Sequence, residues 1–188
     1  MTIWFFSDPH FGHENMASVF TREDGTPVRG FASAREMDAT IVDAINASVR
    51  HDDHLYCLGD VTMNPAGLAR IMPKIVCKNR RLILGNHDKA LTRIYAKHFQ
   101  KVFGSRLFGR ILMTHYPIAP WSFGKALMNV HGHVHQNRPF TYDVVDPMGE
   151  KTRRYLNLCP EVAGYQPWPL EALEAYQTLP AMDRPRRM

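Results

Sequence analysis

Five clusters of aspartate, histidine and asparagine stand out in the 188-residue sequence, because side chains of these types bind metal ions. In chain order the clusters are Asp8-Pro9-His10, Gly59-Asp60, Gly85-Asn86-His87-Asp88, His115 and Gly132-His133-Val134-His135. Imidazole combined with carboxylate favours zinc, manganese, iron or nickel, whereas oxygen ligands alone would indicate calcium or magnesium. The clusters therefore predict a transition-metal site.

The spacing within two of the clusters supports this prediction. Asp8 and His10 are separated by one residue, so in an extended segment both side chains project to the same side and can bind one ion. His133 and His135 repeat the spacing. A single Asp at a strand end is usually a helix cap or turn residue, and a single His usually a surface or core group. Five such clusters in order favour a functional site over these simpler explanations.

Each cluster follows a short apolar run that is typical of a buried β-strand. These runs are Ile3–Ser7, His54–Leu58, Arg81–Leu84, Arg110–Thr114 and Met128–Val130. Helices are predicted between or after them at Ser33–Val49, Asn64–Met72 and Leu170–Leu179. Strands that alternate with helices favour an α/β fold, and such sheets bind ligands at the carboxyl ends of their strands.

The composition favours one soluble domain that spans residues 1–188. The chain is 45% hydrophobic and 22% charged, which is typical of globular proteins, and it has no repeat or low-complexity linker. No apolar run approaches the ~20 residues of a membrane helix, and Asp8 comes too soon for a signal peptide, so a cytoplasmic location without a membrane partner is expected. Cys57, Cys77 and Cys159 are widely spaced and predicted to be buried thiols. The net charge of +5 is dispersed, so a nucleic-acid partner is possible but not favoured.

Taken together, the five clusters resemble the full signature of the calcineurin-like metallophosphoesterases. The match spans Ile3 to His135 and extends more loosely through Asn157–Leu173. The opening segment from Asp8 to Asn15 resembles a small bacterial and phage branch of that superfamily, whose substrates are largely unassigned. The resemblance implies a four-layer α/β/β/α sandwich, in which two mixed β-sheets lie face to face with helices outside.

The resemblance also implies two divalent transition-metal ions per chain, with manganese foremost and zinc, iron or nickel as alternatives. It assigns Asp8, His10 and His135 to the first ion, Asn86, His115 and His133 to the second, and Asp60 to both. Ions held in this way would polarise the phosphoryl oxygens and turn a bridging water into hydroxide for in-line attack.

Four further residues have predicted roles beside the metal ligands. His87 is predicted to be the general acid, supported by Asp88, with a metal-bound or ligand-orienting histidine as the alternative. His13 and Asn15 are predicted to bind substrate, although His13 would serve equally well to orient a ligand imidazole.

His131 is expected to be a strand-end residue. The loop with Tyr116, Pro117, Trp121 and Phe123 is expected either to stack a base or to pack.

Departures from two related branches narrow the predicted reaction. Protein serine/threonine phosphatases of this superfamily carry an Arg after Gly-Asp, whereas Val61, Thr62 and Met63 follow Asp60 here. Purple acid phosphatases place a tyrosine ligand where this chain has Met63. We therefore expect a phosphodiesterase that hydrolyses small, nucleotide-like diesters. A phosphomonoesterase, a nuclease and a non-catalytic, metal-dependent phosphate-binding module are the alternatives.

Overall fold

The first of two β-sheets carries the amino-terminal part of the site. The computed structural model describes residues 1–145, Gly149 and residues 152–177. The strands of the first sheet are β1 (Ile3–Phe6), β2 (His54–Cys57), β3 (Asn79–Ile83), β4 (Lys101–Phe103) and β10 (Trp168–Pro169). Their order is β10-β1-β2-β3-β4, with β1 to β4 parallel and β10 antiparallel at the edge. The carboxyl ends of β1, β2 and β3 therefore meet at one edge.

The second sheet supplies the carboxyl-terminal histidines. Its strands are β5 (Arg106–Phe108), β6 (Ile111–Met113), β7 (Met128–His131), β8 (Thr141–Val145) and β9 (Thr152–Asn157). They lie in the order β5-β6-β7-β9-β8, with β6, β7 and β9 parallel and the two outer strands antiparallel. This sheet is therefore also mixed, and the ends of β6 and β7 lie side by side.

The predicted helices begin where the sequence places their caps. The helices are α1 (Ala34–Ser48), α2 (Pro65–Ile71), α3 (Thr92–Tyr95), α4 (Pro160–Ala163) and α5 (Leu170–Ala175). Ser33 accepts the Glu36 N–H before α1, and Asn64 accepts the Gly67 N–H before α2. The α5 helix ends four residues before the predicted Leu179, which lies outside the described residues.

Alternating side chains on the strands build two core layers. Phe5, Tyr56 and Ile83 point between the sheets, where they join a cluster that includes Met113 and Val130 of the second sheet. The neighbouring residues face the helix side of the first sheet and pack with α1 and α2; they are Phe6, Leu55, Cys57 and Leu82. Two mixed sheets with flanking helices confirm the predicted α/β sandwich.

Two smaller expectations concern the cysteines and the membrane. Cys57, Cys77 and Cys159 are buried and unpaired, which confirms the prediction of buried thiols. In the part of the chain that the structure describes, no helix has both the length and the apolar character needed to cross a lipid bilayer.

Asn129 is a fully buried polar side chain that joins the two strands carrying the second-sheet ligands. From β7 its Nδ2 donates to Leu112 O at 2.9 Å and to Thr114 Oγ1 at 2.8 Å. Its Oδ1 accepts the Ile118 N–H at 3.1 Å. Asn129 therefore fixes the end of β6 just before His115.

We expect Asn129→Ala to lower the free energy of unfolding by about 2–3 kcal/mol, because it leaves buried donors and acceptors unpaired. Urea denaturation measures the loss. Asn64→Ala is the control, since it removes an exposed helix cap and should cost only about 1 kcal/mol. Equal losses for the two variants would contradict this account, because the buried Asn129 network would then contribute no more than one exposed helix cap.

Candidate metal centre

The predicted ligands meet where the strand ends of the two sheets face each other. Asp8 and His10 follow β1, Asp60 follows β2 and Asn86 follows β3, while His115 follows β6 and the last two histidines follow β7. Five of these residues have a positive φ between 48° and 70°, namely Asp8, His10, Asp60, His133 and His135. Residues other than glycine seldom adopt this left-handed backbone conformation, and such strain is concentrated at functional sites.

The Asp60 carboxylate is the centre of the cluster. Its Oδ2 lies 3.4 Å from His115 Nε2, 3.7 Å from His10 Nε2 and 3.9 Å from His87 Nε2. Burial raises the pKa of Asp60, but the hydrogen bond and positive charge of His115 act against it and bring that pKa to about 2. Asp60 is therefore ionised and faces imidazoles from both sheets.

Two groups of possible metal ligands share Asp60. Potential donor atoms of Asp8, His10 and Asp60 lie within 4.8 Å of one another, and those of Asp60, His115 and His133 do the same.

The other two predicted ligands adjoin these groups. His135 Nε2 is 3.9 Å from Asp8 Oδ1, and Asn86 Oδ1 is 2.8 Å from His115 Nε2. The structure thus brings all seven predicted ligands close together, and their division between two ions stays a prediction.

The environment of His10 indicates whether this cluster fits a metal ion. Its ring is buried, and neither ring nitrogen has a hydrogen-bond partner among the described residues. Burial lowers the pKa of His10 well below its usual value, so the ring is neutral and keeps a free lone pair. Leaving a buried polar group unpaired is costly, and coordination of a metal ion would remove that cost. The mixed imidazole and carboxylate donors fit a divalent transition metal.

Glycines allow the main chain to approach the acidic ligands closely. A Cβ atom at Gly85 would collide with the Asp60 carboxylate, and one at Gly132 would collide with the Asp8 carboxylate. The Asp8 carboxylate accepts the His133 N–H at 3.1 Å and the Ser7 hydroxyl. The hydrogen bond from His133 joins the end of β1 to the end of β7. Burial raises the pKa of the Asp8 carboxyl at this position.

Asp88 holds the ends of two neighbouring strands. Its carboxylate accepts the N–H groups of Asp60, Val61 and Gly85 at 2.8, 3.1 and 2.9 Å. These contacts give Asp88 a positioning role at the ends of β2 and β3. Its predicted support of His87 as an acid stays a prediction.

An open cleft of about 630 Å³ adjoins the cluster and is lined by four of the predicted functional histidines. Its lining residues are His10, His13, Met16, Val19, Phe20, Thr21, Val28, His87, His135, Gln136 and Asn137. The His87 side chain is 36% exposed, and its ring lies 5.5 Å from that of His10. Asn15, by contrast, is exposed at the start of a π-helical turn and does not line the cleft. The structure thus places His13 and His87, but not Asn15, beside the candidate metal centre.

His131 lies outside the cluster, as expected for a strand-end residue. Its Nδ1 donates to Gly132 O, and its Nε2 accepts the Tyr142 hydroxyl, both at 2.8 Å. Burial lowers the pKa of His131 to about 4, so the ring is neutral. Its nitrogens are committed to the second sheet.

The aromatic loop after β6 divides between packing and exposure. The Tyr116 ring lies 4.1 Å from the His133 ring, and Phe123 is buried against Tyr155 at 5.2 Å. Trp121 is exposed. The loop therefore packs against a candidate ligand and also leaves an aromatic side chain accessible.

Two residues that the sequence analysis missed support the cluster from behind. Glu161 Oε1 lies 2.6 Å from His135 Nδ1, and Glu161 Oε2 lies 3.0 Å from Arg29 Nε. The one available signal is that Glu161 follows the apolar end of β9, as the other clusters follow their strands. Arg29 lies in the long segment between β1 and α1, and the sequence gives no signal for its role.

Comparison with known proteins finds relatives along most of the chain. An uncharacterized protein of Methanocaldococcus jannaschii is 27% identical over 173 residues, which cover 91% of this chain and 88% of that protein. The gene 66 protein of Mycobacterium phage L5 is 33% identical over 88 residues, covering 45% of this chain and 39% of that protein. The crystal structure of an Aquifex aeolicus protein of unknown function has the same fold. Its TM-score is 0.67 at 22% identity, covering 93% of this chain and 98% of that one.

The profile of the calcineurin-like phosphoesterases matches residues 1–177, a range that includes all seven predicted ligands and also His13 and His87. This match confirms the family that the five sequence clusters predict, and the candidate ligand groups agree with its dependence on divalent metals. The chain therefore belongs to the calcineurin-like phosphoesterase family and is a metal-dependent phosphoesterase.

Proposed function

We propose that the protein is a phosphodiesterase that hydrolyses small, nucleotide-like phosphate diesters with two divalent transition-metal ions, manganese foremost. The observation that carries this proposal is the Asp60 carboxylate, which belongs to both candidate ligand groups. The ligand His10 of one of these groups also lines an open cleft. The proposal gives Asp8, His10 and His135 to the first ion, and Asn86, His115 and His133 to the second. Ions bound at such a centre polarise a phosphoryl oxygen and activate a water nucleophile.

The charge of the cleft favours a diester over a monoester. Among the described residues that line the cleft there is no Lys or Arg to neutralise the second negative charge of a monoester. Arg138 is near in sequence, but its guanidinium lies 5.9 Å above the ring of Tyr142 and does not line the cleft. A diester carries one negative charge at neutral pH and needs less cationic help.

Two contacts of His87 support a role at the leaving group. Its main-chain N–H donates to Asp60 Oδ1 at 2.8 Å, which fixes the backbone beside the ligands. Its side chain reaches the cleft, where it can hydrogen-bond to the ester oxygen of a substrate. We therefore assign His87 as the general acid that protonates the departing alkoxide, and His13 as a substrate-binding residue on the same cleft.

The direct test of the diester assignment compares bis(4-nitrophenyl) phosphate with 4-nitrophenyl phosphate on manganese-loaded protein. We expect a higher kcat/KM for the diester, because no Lys or Arg among the described lining residues is available to neutralise the monoester's second charge. A preference for the monoester would instead indicate a phosphatase. Failure to hydrolyse either ester at full metal occupancy would indicate a non-catalytic binding module.

Replacement of His87 tests the general-acid role. We expect His87→Ala to retain its metal ions and to lower kcat by ~10²–10⁴ for an ester with an alkyl leaving group. The loss should be smaller for 4-nitrophenolate, which leaves without a proton. Steady-state kinetics with both leaving groups, together with elemental analysis, gives the comparison.

His13→Ala is the matched control for His87→Ala, because both side chains line the cleft. A substrate-binding role predicts that His13→Ala lowers kcat/KM by a similar factor for both leaving groups. If His87→Ala loses metal, or slows both leaving groups equally, its role as the acid is wrong.

A further inference from the structure

We propose that Glu161 and Arg29 are positioning residues that orient the ligands of the first metal group, Asp8, His10 and His135. The inference rests on the proposed metal binding and assigns two residues that lie outside every predicted cluster. Neither residue is expected to contact substrate, so their effect should appear first in metal affinity.

Glu161 fixes both the orientation and the tautomer of His135. The Glu161 side chain is 1% exposed, and its Oε1 lies 2.6 Å from His135 Nδ1. A carboxylate at this distance accepts the Nδ1 proton, so Nε2 keeps the lone pair. Nε2 is the nitrogen that lies 3.9 Å from Asp8 Oδ1. Carboxylates that hold the second nitrogen of a ligand histidine commonly raise metal affinity in this way.

Arg29 extends the same network to the main chain of the first ligand pair. Its side chain is 0% exposed, and Nε donates to Glu161 Oε2 at 3.0 Å. Nη1 donates to Pro9 O at 3.0 Å, and Nη2 donates to Asp8 O at 2.6 Å. The planar fork of one guanidinium thus joins the carboxylate behind His135 to the segment that presents Asp8 and His10. Lys could not make these three contacts together.

Fold stability alone does not explain why an ion pair is buried at this position. Well-packed apolar side chains often stabilise a fold as well as a buried ion pair does, because both charges lose their hydration. What the Arg29–Glu161 pair adds is orientation, because its contacts with His135 Nδ1, Pro9 O and Asp8 O end on a candidate ligand or on the backbone beside one. One further contact, from Arg29 Nη1 to Met37 Sδ at 3.5 Å, anchors the guanidinium to α1.

The structure contains a matched control for a purely structural role. Arg154 and Asp143 form a second ion pair of low exposure between β9 and β8, with contacts of 2.8 and 2.9 Å. Neither residue is in a candidate ligand group or in the cleft lining. Asp143→Asn should therefore lower thermal stability without changing metal affinity.

The experiment is a calorimetric titration of the metal-free protein with manganese. We expect the wild-type protein to bind two ions. Glu161→Ala should lower the affinity for one ion by ~10–100-fold and leave the affinity for the other unchanged. Glu161→Gln removes the charge at nearly constant shape and covers the case in which the alanine variant does not fold. It should lower the affinity for the same ion by a smaller factor, because an amide oxygen still accepts a hydrogen bond. Arg29→Lys should also lower the affinity for that ion.

The possible outcomes separate this inference from the proposed function. Wild-type affinity for both ions in Glu161→Gln and Arg29→Lys, with only a lower melting temperature, would overturn the positioning role and leave the phosphodiesterase proposal intact. A loss of affinity in Asp143→Asn as large as that in Glu161→Gln would also overturn it, because the effect would then be general. If the wild-type protein binds no pair of ions, the positioning role and the binuclear proposal both fail.

Discussion

Asp60 carries a negative charge into the contact between two sheets, where a carboxylate persists only if donors surround it. His115 approaches from the second sheet, while the His87 N–H binds the other carboxylate oxygen at 2.8 Å. Gly85 leaves room for this carboxylate, because any side chain there would collide with it. Asp88 holds the main chain of Asp60 itself. The placement of the strand ends thus follows from the need to hold this one carboxylate against several imidazoles.

The residues that hold the candidate ligands and the residues that face the cleft lie on different sides of the cluster. On the buried side, Glu161 and Arg29 hold the first ligand group through side chains that have almost no exposure. On the open side, His13 and His87 face a cleft whose walls combine apolar residues such as Phe20 with the amide side chains of Gln136 and Asn137. Orientation of the ligands and contact with a substrate are therefore tasks of different residues. This division explains why substitutions behind the cluster should change metal affinity, whereas those in the cleft should change turnover.

The sequence identifies the residues that the fold brings together because their signal is local, each of them coming soon after an apolar strand. The strands β1 and β2 carry apolar side chains along most of their length and were identified to within one residue. The start of β3 was missed because it begins with Asn79 and Arg80. The pairing of Glu161 with Arg29, 132 residues apart, depends on the tertiary fold and leaves no local pattern. Asn15 lies two residues after His13, but it is exposed at the start of the π-helical turn and does not line the cleft, whereas His13 does.

Anomalous diffraction from crystals grown with manganese would locate bound ions directly. A centre built on a shared carboxylate predicts two peaks ~3.5–4 Å apart, with the Asp60 carboxylate in contact with both. His135 should lie beside one peak and His133 beside the other. A single peak, or two peaks that do not share Asp60, would contradict the binuclear centre.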